Sequence, residues 1–234
     1  MKKNILLIAL LLLTGEQLQS QSWQWARRVG GSFGPSADIP NESVRDVQTD
    51  AQGNVYICGR VGLGANFNGT PMTTYSQNGY TLFLAKLDCN GNLLWLRTAG
   101  GGLALNEANS LALDELGHIY LTGKINGSVL QPVIFMDSTI AENTSDLFLA
   151  KFDTAGNFKW VRWAAQGSAS LQSKGLKIRK DSQNNISVLG YSNAGELFPG
   201  FNIPGCTFIT RFDPTGNLTM FTQITGSSYV GSYK

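Results

Sequence analysis

His118 is the only histidine in the chain, and imidazole is the side chain that most readily moves protons or binds metal near neutral pH. It stands in the phrase DELGHIYLTG, where two similar phrases carry Asn54 and Asn185. A Ser-His-Asp triad or a multi-histidine metal centre would have to be built around this one ring. Its place reads instead as a solvated turn. The aspartates of the pattern Asp-x-x-Gly-Asn, at positions 50, 88, 153 and 213, raise the question of calcium. Asp88, Asn90 and Asn92 do offer alternating oxygens around Gly91. A calcium loop of the EF-hand kind needs more acidic ligands and a distal bidentate Glu, and Asp153 and Asp213 lack even the middle Asn. Hairpin geometry is the reading, and no metal ligand is assigned.

Glycosidic cleavage needs two opposed carboxylates. The acidic residues outside the repeated turns include Glu42, Asp46, Glu107, Asp137, Glu142, Asp146 and Glu196. No spacing selects two of them, so no catalytic and no cofactor-binding residue is assigned. Trp25, Trp95 and Trp160 could form a sugar-stacking platform, but their recurrence at one place in every unit points to packing between sheets. Met220 holds the same place in a fourth copy. Trp23 and Trp163 fall outside this column and are the better candidates for exposure. Arg27, Arg97 and Arg162, with Lys86, Lys151 and Arg211, recur at fixed positions. A ring of such groups could hold an anion; more simply, they cover aromatic faces or pair with the repeated Asp. Cys58, Cys89 and Cys206 are odd in number and widely spaced, which reads as free thiols. The sequons at Asn68 and Asn126 read as chance, and Asp137-Ser138-Thr139 and Asp153-Thr154-Ala155 resemble an exported-protein O-glycosylation motif.

What must position all of these residues is a repeat. DAQGNVYICG at 50–59 returns as DELGHIYLTG at 114–123 and DSQNNISVLG at 181–190. LAKLDCNGNLLW at 84–95 returns as LAKFDTAGNFKW at 149–160 and ITRFDPTGNLTM at 209–220. A third phrase opens WARRVGG, WLRTAGG and WVRWAAQ. The strand-like runs of the first copy are 23–29, 44–49, 55–61 and 82–87, with alternating apolar residues such as Phe83, Ala85 and Leu87. The expected fold is all-β: a partial β-propeller of about three four-stranded antiparallel blades plus the first strand of a fourth. The units fall at 21–93, 94–158 and 159–218, with an incomplete one at 219–234. In every turn Asp accepts backbone hydrogen bonds and Gly takes positive φ; Asn184 takes that place once. The variable segments 62–80, 126–146 and 195–206 are expected to be loops on one face, the place to look for a ligand.

The two phrases D-x-x-GN-[VI]-Y-[IL]-x-G and LAK[LF]D-x-x-GN-x-x-W resemble the seven-bladed β-propeller repeat family of secreted bacterial proteins, Bacteroidetes ones especially. The resemblance covers about residues 23–226. It implies a propeller architecture and export, and it carries no catalytic motif.

Residues 1–20 read as a cleaved signal peptide: Lys2 and Lys3, then a short apolar run ending at Leu13, then small and polar residues. The whole chain has 18 Lys and Arg against 16 Asp and Glu, and loss of Lys2, Lys3 and Glu16 leaves 16 against 15. So neutral a surface argues against nucleic acid as the partner. The expected protein is secreted or at the cell surface, with no membrane insertion after leader cleavage. It is expected to be a non-catalytic binding or scaffolding module for a protein or glycan, the N-terminal part of a longer protein that self-associates through open blade flanks. The alternative expectation is a carbohydrate-active hydrolase or lyase on the same scaffold.

Overall fold

A computed structural model describes residues 24–31, 42–75, 79–101, 105–141, 144–164, 172–193, 196–198, 201–203 and 205–224. The expected leader at 1–20 and Trp23 lie outside them. The protein is all-β, and its principal sheets are antiparallel. Among the described residues no helix is long and apolar enough to cross a membrane.

The first sheet is built from β2 (Ser43–Thr49), β3 (Val55–Val61), β6 (Thr81–Leu87) and β7 (Leu93–Gly101), paired in that order. The second holds β8 (Glu107–Leu113), β9 (Ile119–Gly127), β12 (Thr144–Phe152) and β13 (Phe158–Trp163). The third holds β14 (Ser173–Lys180), β15 (Ile186–Ser192), β18 (Cys206–Phe212) and β19 (Leu218–Ile224). The tryptophan strand, expected to open each unit, therefore closes the sheet before it. The physical reason is the tight turn at 88–92, which folds β7 back antiparallel onto β6. By the same logic β19 pairs with β18 and completes the third sheet; it does not begin a fourth. The counterpart of that outer strand at the start is segment 24–31, which contains β1 (Val29–Gly30) and belongs to a small three-stranded sheet.

The turns are nearly superimposable in chemistry. In each, the Gly or Asn184 N–H donates to the Asp carbonyl, as Gly91 does to Asp88 at 3.0 Å and Asn184 does to Asp181 at 3.1 Å. One oxygen of Asp88 accepts the backbone N–H groups of Asn90 and Asn92, and the other accepts the Asn92 side-chain amide. The same bonds recur around Asp50, Asp153, Asp181 and Asp213. At Asp114 the imidazole of His118 takes the amide's place, its Nδ1 at 2.8 Å from the carboxylate.

The expected loops contain hairpins. β4 (Asn66–Phe67) and β5 (Thr70–Pro71) form one, and β10 (Val133–Phe135) and β11 (Ser138–Ile140) another. β16 (Glu196–Phe198) and β17 (Phe201–Ile203) form a third. The first two do not project freely. β4 pairs with β1, and β10 pairs with the end of β7, both onto the preceding outer strand in equivalent register: Phe67 opposite Val29, Phe135 opposite Ala99. Phe67 and Phe135 are both fully buried there, and each such ring contributes about 1.5–3 kcal/mol by leaving water.

Sheets stack face to face. Tyr56, Cys58, Leu82 and Leu84 on the forward face of the first sheet meet Ile119, Leu121, Phe148 and Phe152 of the second. Tyr120, Leu147 and Leu149 then meet Ile178, Ile186, Val188 and Phe208 of the third. Segment 24–31 and β4 cover part of the first sheet's back face, placing Val29 and Phe67 against Phe83, Ala85 and Leu87.

Candidate functional site

The residues that mark the repeat meet one another across the junctions between sheets. Trp25 Nε1 donates to the Cys89 carbonyl at 3.0 Å, and Arg27 Nε donates to the Gly91 carbonyl at 2.7 Å. One unit later Trp95 Nε1 donates to the Thr154 carbonyl at 3.3 Å, and Arg97 Nε to the Gly156 carbonyl at 2.8 Å. Each guanidinium also lies over its own indole, at 5.8 Å for Arg27 and 5.5 Å for Arg97. Trp-x-Arg on one outer strand thus grips the Asp-x-x-Gly-Asn turn of the next sheet. Glycine is required at that turn twice over. It has φ +75° at Gly91 and Gly156, and a Cβ would stand 2.5 Å from Trp25 or 2.8 Å from Trp95. Asn184 occurs in a turn within the third sheet's leading hairpin, where φ is 62°.

A second set of polar contacts forms where the leading strands β2, β8 and β14 approach one another. Each carries a bulge at the same place, beside Asp46, Ser110 and Lys177. Asp46 Oδ2 accepts the Ser110 hydroxyl at 2.5 Å, the Leu111 N–H at 3.1 Å and the Lys177 ammonium at 3.0 Å. Ser110 Oγ in turn accepts the Ile178 N–H at 3.3 Å. Burial works to raise the Asp46 pKa, but the bonds from Ser110, Lys177 and Leu111 outweigh it and hold the carboxyl below its ordinary value. Glu107 lies beside this cluster with Arg60 at 2.8 Å, Lys174 at 3.2 Å and Arg45 at 3.7 Å. Burial would raise its pKa too, and the surrounding positive charges prevail and lower it. Bulges and inward charges are also what keeps an edge strand from pairing with a foreign strand. The cluster ties three leading edges together; Ser110, fully buried, is no accessible nucleophile.

The third feature is an apolar flank. Val44 and Val47 on the back face of the first sheet are 50% and 54% exposed, whereas their counterparts Ala108 and Leu111, and Ile178 in the third sheet, are fully buried by the sheet before them. Between this flank and segment 24–31 runs a groove of about 510 Å³ lined by Trp25, Arg27, Val29, Val44, Val55 and Ile57, among others.

No family model matches the chain, and no curated protein matches it.

The individual sequence candidates separate clearly. Glu42 accepts the N–H groups of Gly31 and Gly62, and Asp137 sits in the exposed turn between β10 and β11. Asp146 is fully buried, while Glu142 and the Glu196 side chain lie outside the described residues. Asp46 bonds Ser110, Leu111 and Lys177, and Glu107 pairs with Arg60, Lys174 and Arg45 nearby. The turn aspartates are saturated by N–H donors, and no group of three or more metal-ligating side chains occurs among the described residues. Trp163, expected to be exposed, is half-buried and packs against the core between the first two sheets. The arginines of the Trp-x-Arg motif cover aromatic faces as expected; Arg27 and Arg97 bind turn carbonyls, and Arg162 donates to the Val161 carbonyl. Lys86 and Lys151 lie over Tyr56 and Tyr120, each at 4.9 Å, while Arg211, which faces Ser187 and not a Tyr, pairs with Asp181. All three cysteines are free.

Sequence reasoning missed the hairpin anchors and the leading-edge cluster. A faint signal existed for the first: Phe67-Asn68-Gly69, Phe135-Met136-Asp137 and Phe198-Pro199-Gly200 are three triplets that each open on Phe. For Asp46, Ser110 and Lys177 there was none, because the three equivalent positions share no chemistry.

Proposed function

We propose that this protein is an exported, non-catalytic binding or scaffolding module of the β-propeller repeat kind, acting at the cell surface or outside the cell. The observation that carries the reading is the exposed apolar flank formed by Val44 and Val47 beside segment 24–31. Contiguous apolar surface of this kind marks a contact with another macromolecule. The chemistry of the repeated residues supports the same reading, since Trp, Arg, Asp and Gly of the repeat phrases are engaged in turns and junctions. Bonds from Ser110 and Lys177 hold the Asp46 carboxyl below its ordinary pKa despite burial, and the charges of Lys174 and Arg60 do the same for Glu107. A glycoside hydrolase needs one carboxyl with a raised pKa as its proton donor, so the hydrolase alternative gains no support from this pair.

The test is a polysaccharide panel scored for both turnover and retention of purified protein. Retention or none, without turnover, is expected. Turnover abolished by Asp46→Asn or Glu107→Gln, in variants that keep the wild-type circular dichroism, would replace this reading with the enzymatic one.

A further inference from the structure

Residues that differ from sheet to sheet at one equivalent place are the least constrained by the repeat, and the leading edges concentrate them. Arg45, Asn109 and Leu176 occupy the bulges of β2, β8 and β14. Ser43, Glu107 and Lys174 precede those bulges, opposite Arg60, Lys124 and Tyr191. The cations that do recur are engaged with turn carbonyls and aromatic faces, as Arg27, Arg97, Lys86 and Lys151 are. Arg45, Lys174 and Lys177 have no cationic counterpart in the other two sheets, yet the stack brings them to two carboxylates.

The acids lie beneath and the cations above. The side chains of Glu107 and Asp46 are 8% and 10% exposed, whereas those of Arg45, Lys174 and Lys177 are 39% to 41% exposed. Arg45, Arg60, Lys174 and Lys177 against Glu107 and Asp46 leave a surplus of two positive charges. Lys124 and Asp146, on β9 and β12, add one charge of each sign and leave that surplus unchanged. Glu42, just before β2, is occupied by the N–H groups of Gly31 and Gly62. Arg60 and Lys174 already bond to Glu107. Arg45 stands at 3.7 Å from it, beyond hydrogen-bond reach. Among the described residues its guanidinium makes no hydrogen bond, although it carries several N–H donors. The buried acid thus holds two exposed cations side by side, and it bonds closely to only one of them.

We propose that the exposed side of this cluster is a seat for a doubly charged oxyanion, a phosphate or sulfate group, held by Arg45, Lys174 and Lys177. A guanidinium offers two N–H groups to neighbouring oxygens of such an anion, and the ammonium groups act on it as point charges. Two negative charges match the surplus. A carboxylate would leave half of it uncompensated, and a neutral sugar all of it. Arg45 comes from the first sheet, Lys174 and Lys177 from the third. A bound anion therefore bridges two sheets that are not neighbours, and it stabilises the stack because only the assembled stack binds it. The seat uses none of the residues that form the apolar flank, and it stands whether or not that flank binds a partner.

The purified full-length protein is titrated calorimetrically with sulfate, phosphate and acetate at constant ionic strength. Saturable binding of both dianions is expected, with acetate about tenfold weaker or more. Arg45→Gln and Lys174→Gln, in variants that keep the wild-type circular dichroism, should each weaken sulfate binding by about fivefold or more. Lys159→Gln, the same loss of charge on β13, should weaken it by less than about twofold. Glucose 6-phosphate distinguishes an ester from the free ion: tighter binding than phosphate points to the ester, weaker binding to the ion, and either supports the seat. In the wild-type protein sulfate should also slow acetylation of Lys174 and Lys177 relative to Lys159, read by peptide mapping, which needs no variant. No saturable binding of either dianion, acetate binding as tightly as sulfate, or equal weakening by Lys159→Gln and Arg45→Gln would overturn the seat.

Discussion

The indole of Trp95 lies against Gly156 in the turn of the next sheet, and a Cβ on that glycine would stand 2.8 Å from the ring. The same turn receives the Trp95 N–H through Thr154 and the Arg97 guanidinium through Gly156. One local turn and one strand-borne pair thereby set the spacing of successive sheets.

Gly156→Ala is therefore expected to destabilise by about 2–4 kcal/mol, combining overpacking against the indole with strain at positive φ. Asn184→Gly, in a turn that tolerates a side chain, should change stability by less than about 1 kcal/mol. Urea unfolding followed by tryptophan fluorescence reads both, and equal effects would contradict the grip between Trp95 and Gly156.

His118 acts as a turn residue. His118→Asn, which restores the residue used by the other copies, should leave stability within about 0.5 kcal/mol. Asp114→Ala removes the acceptor of two backbone N–H groups and the imidazole and should cost about 1–3 kcal/mol. The comparison is made by thermal melts at one pH.

Glu107 gives the stability a pH dependence. Its folded pKa lies below the ordinary 4.5, so the stabilisation is complete above the unfolded value and disappears as pH falls through the folded one. Glu107→Gln should cost about 1–3 kcal/mol at pH 7. As pH falls through that lowered folded value the difference from wild type should shrink, because the glutamate then becomes neutral like the glutamine. Urea midpoints across the acid range test this, and a difference that stays constant to pH 2.5 would contradict it.

Thiol reactivity should rank by burial. Cys89 is exposed, Cys206 half-buried and Cys58 fully buried, and burial pushes the Cys58 and Cys206 thiols up. Alkylation of the native protein followed by peptide mapping should label Cys89 first and Cys206 more slowly. Cys58 should react only on unfolding, and early labelling there would show that the first and second sheets part readily.

Some of this molecule is written locally. Asp88 and Asn92 bond to each other within one turn, as do their counterparts, so spacing alone announced the hairpins, the strands beside them and the all-β class. Asn184 at positive φ fits the same local rule. The alternating apolar residues likewise identified strands with two faces, but not which sheet each face would meet. Other features depend on residues about sixty positions apart. Whether Trp95 begins one sheet or ends another is settled by β7 folding back on β6 and by its indole reaching the following sheet's turn. The hairpins of β4 and β10 lie in segments with little shared sequence, and only their register against segment 24–31 and β7 reveals them as equivalent. Asp46, Ser110 and Lys177 look unrelated until three bulged edges bring them to one carboxylate. Val47 and Leu111 are both apolar in sequence; among the described residues only Leu111 has a preceding sheet packed over it, which leaves one half exposed and the other buried. Sequence records what each strand can bury, and tertiary structure decides what arrives to bury it.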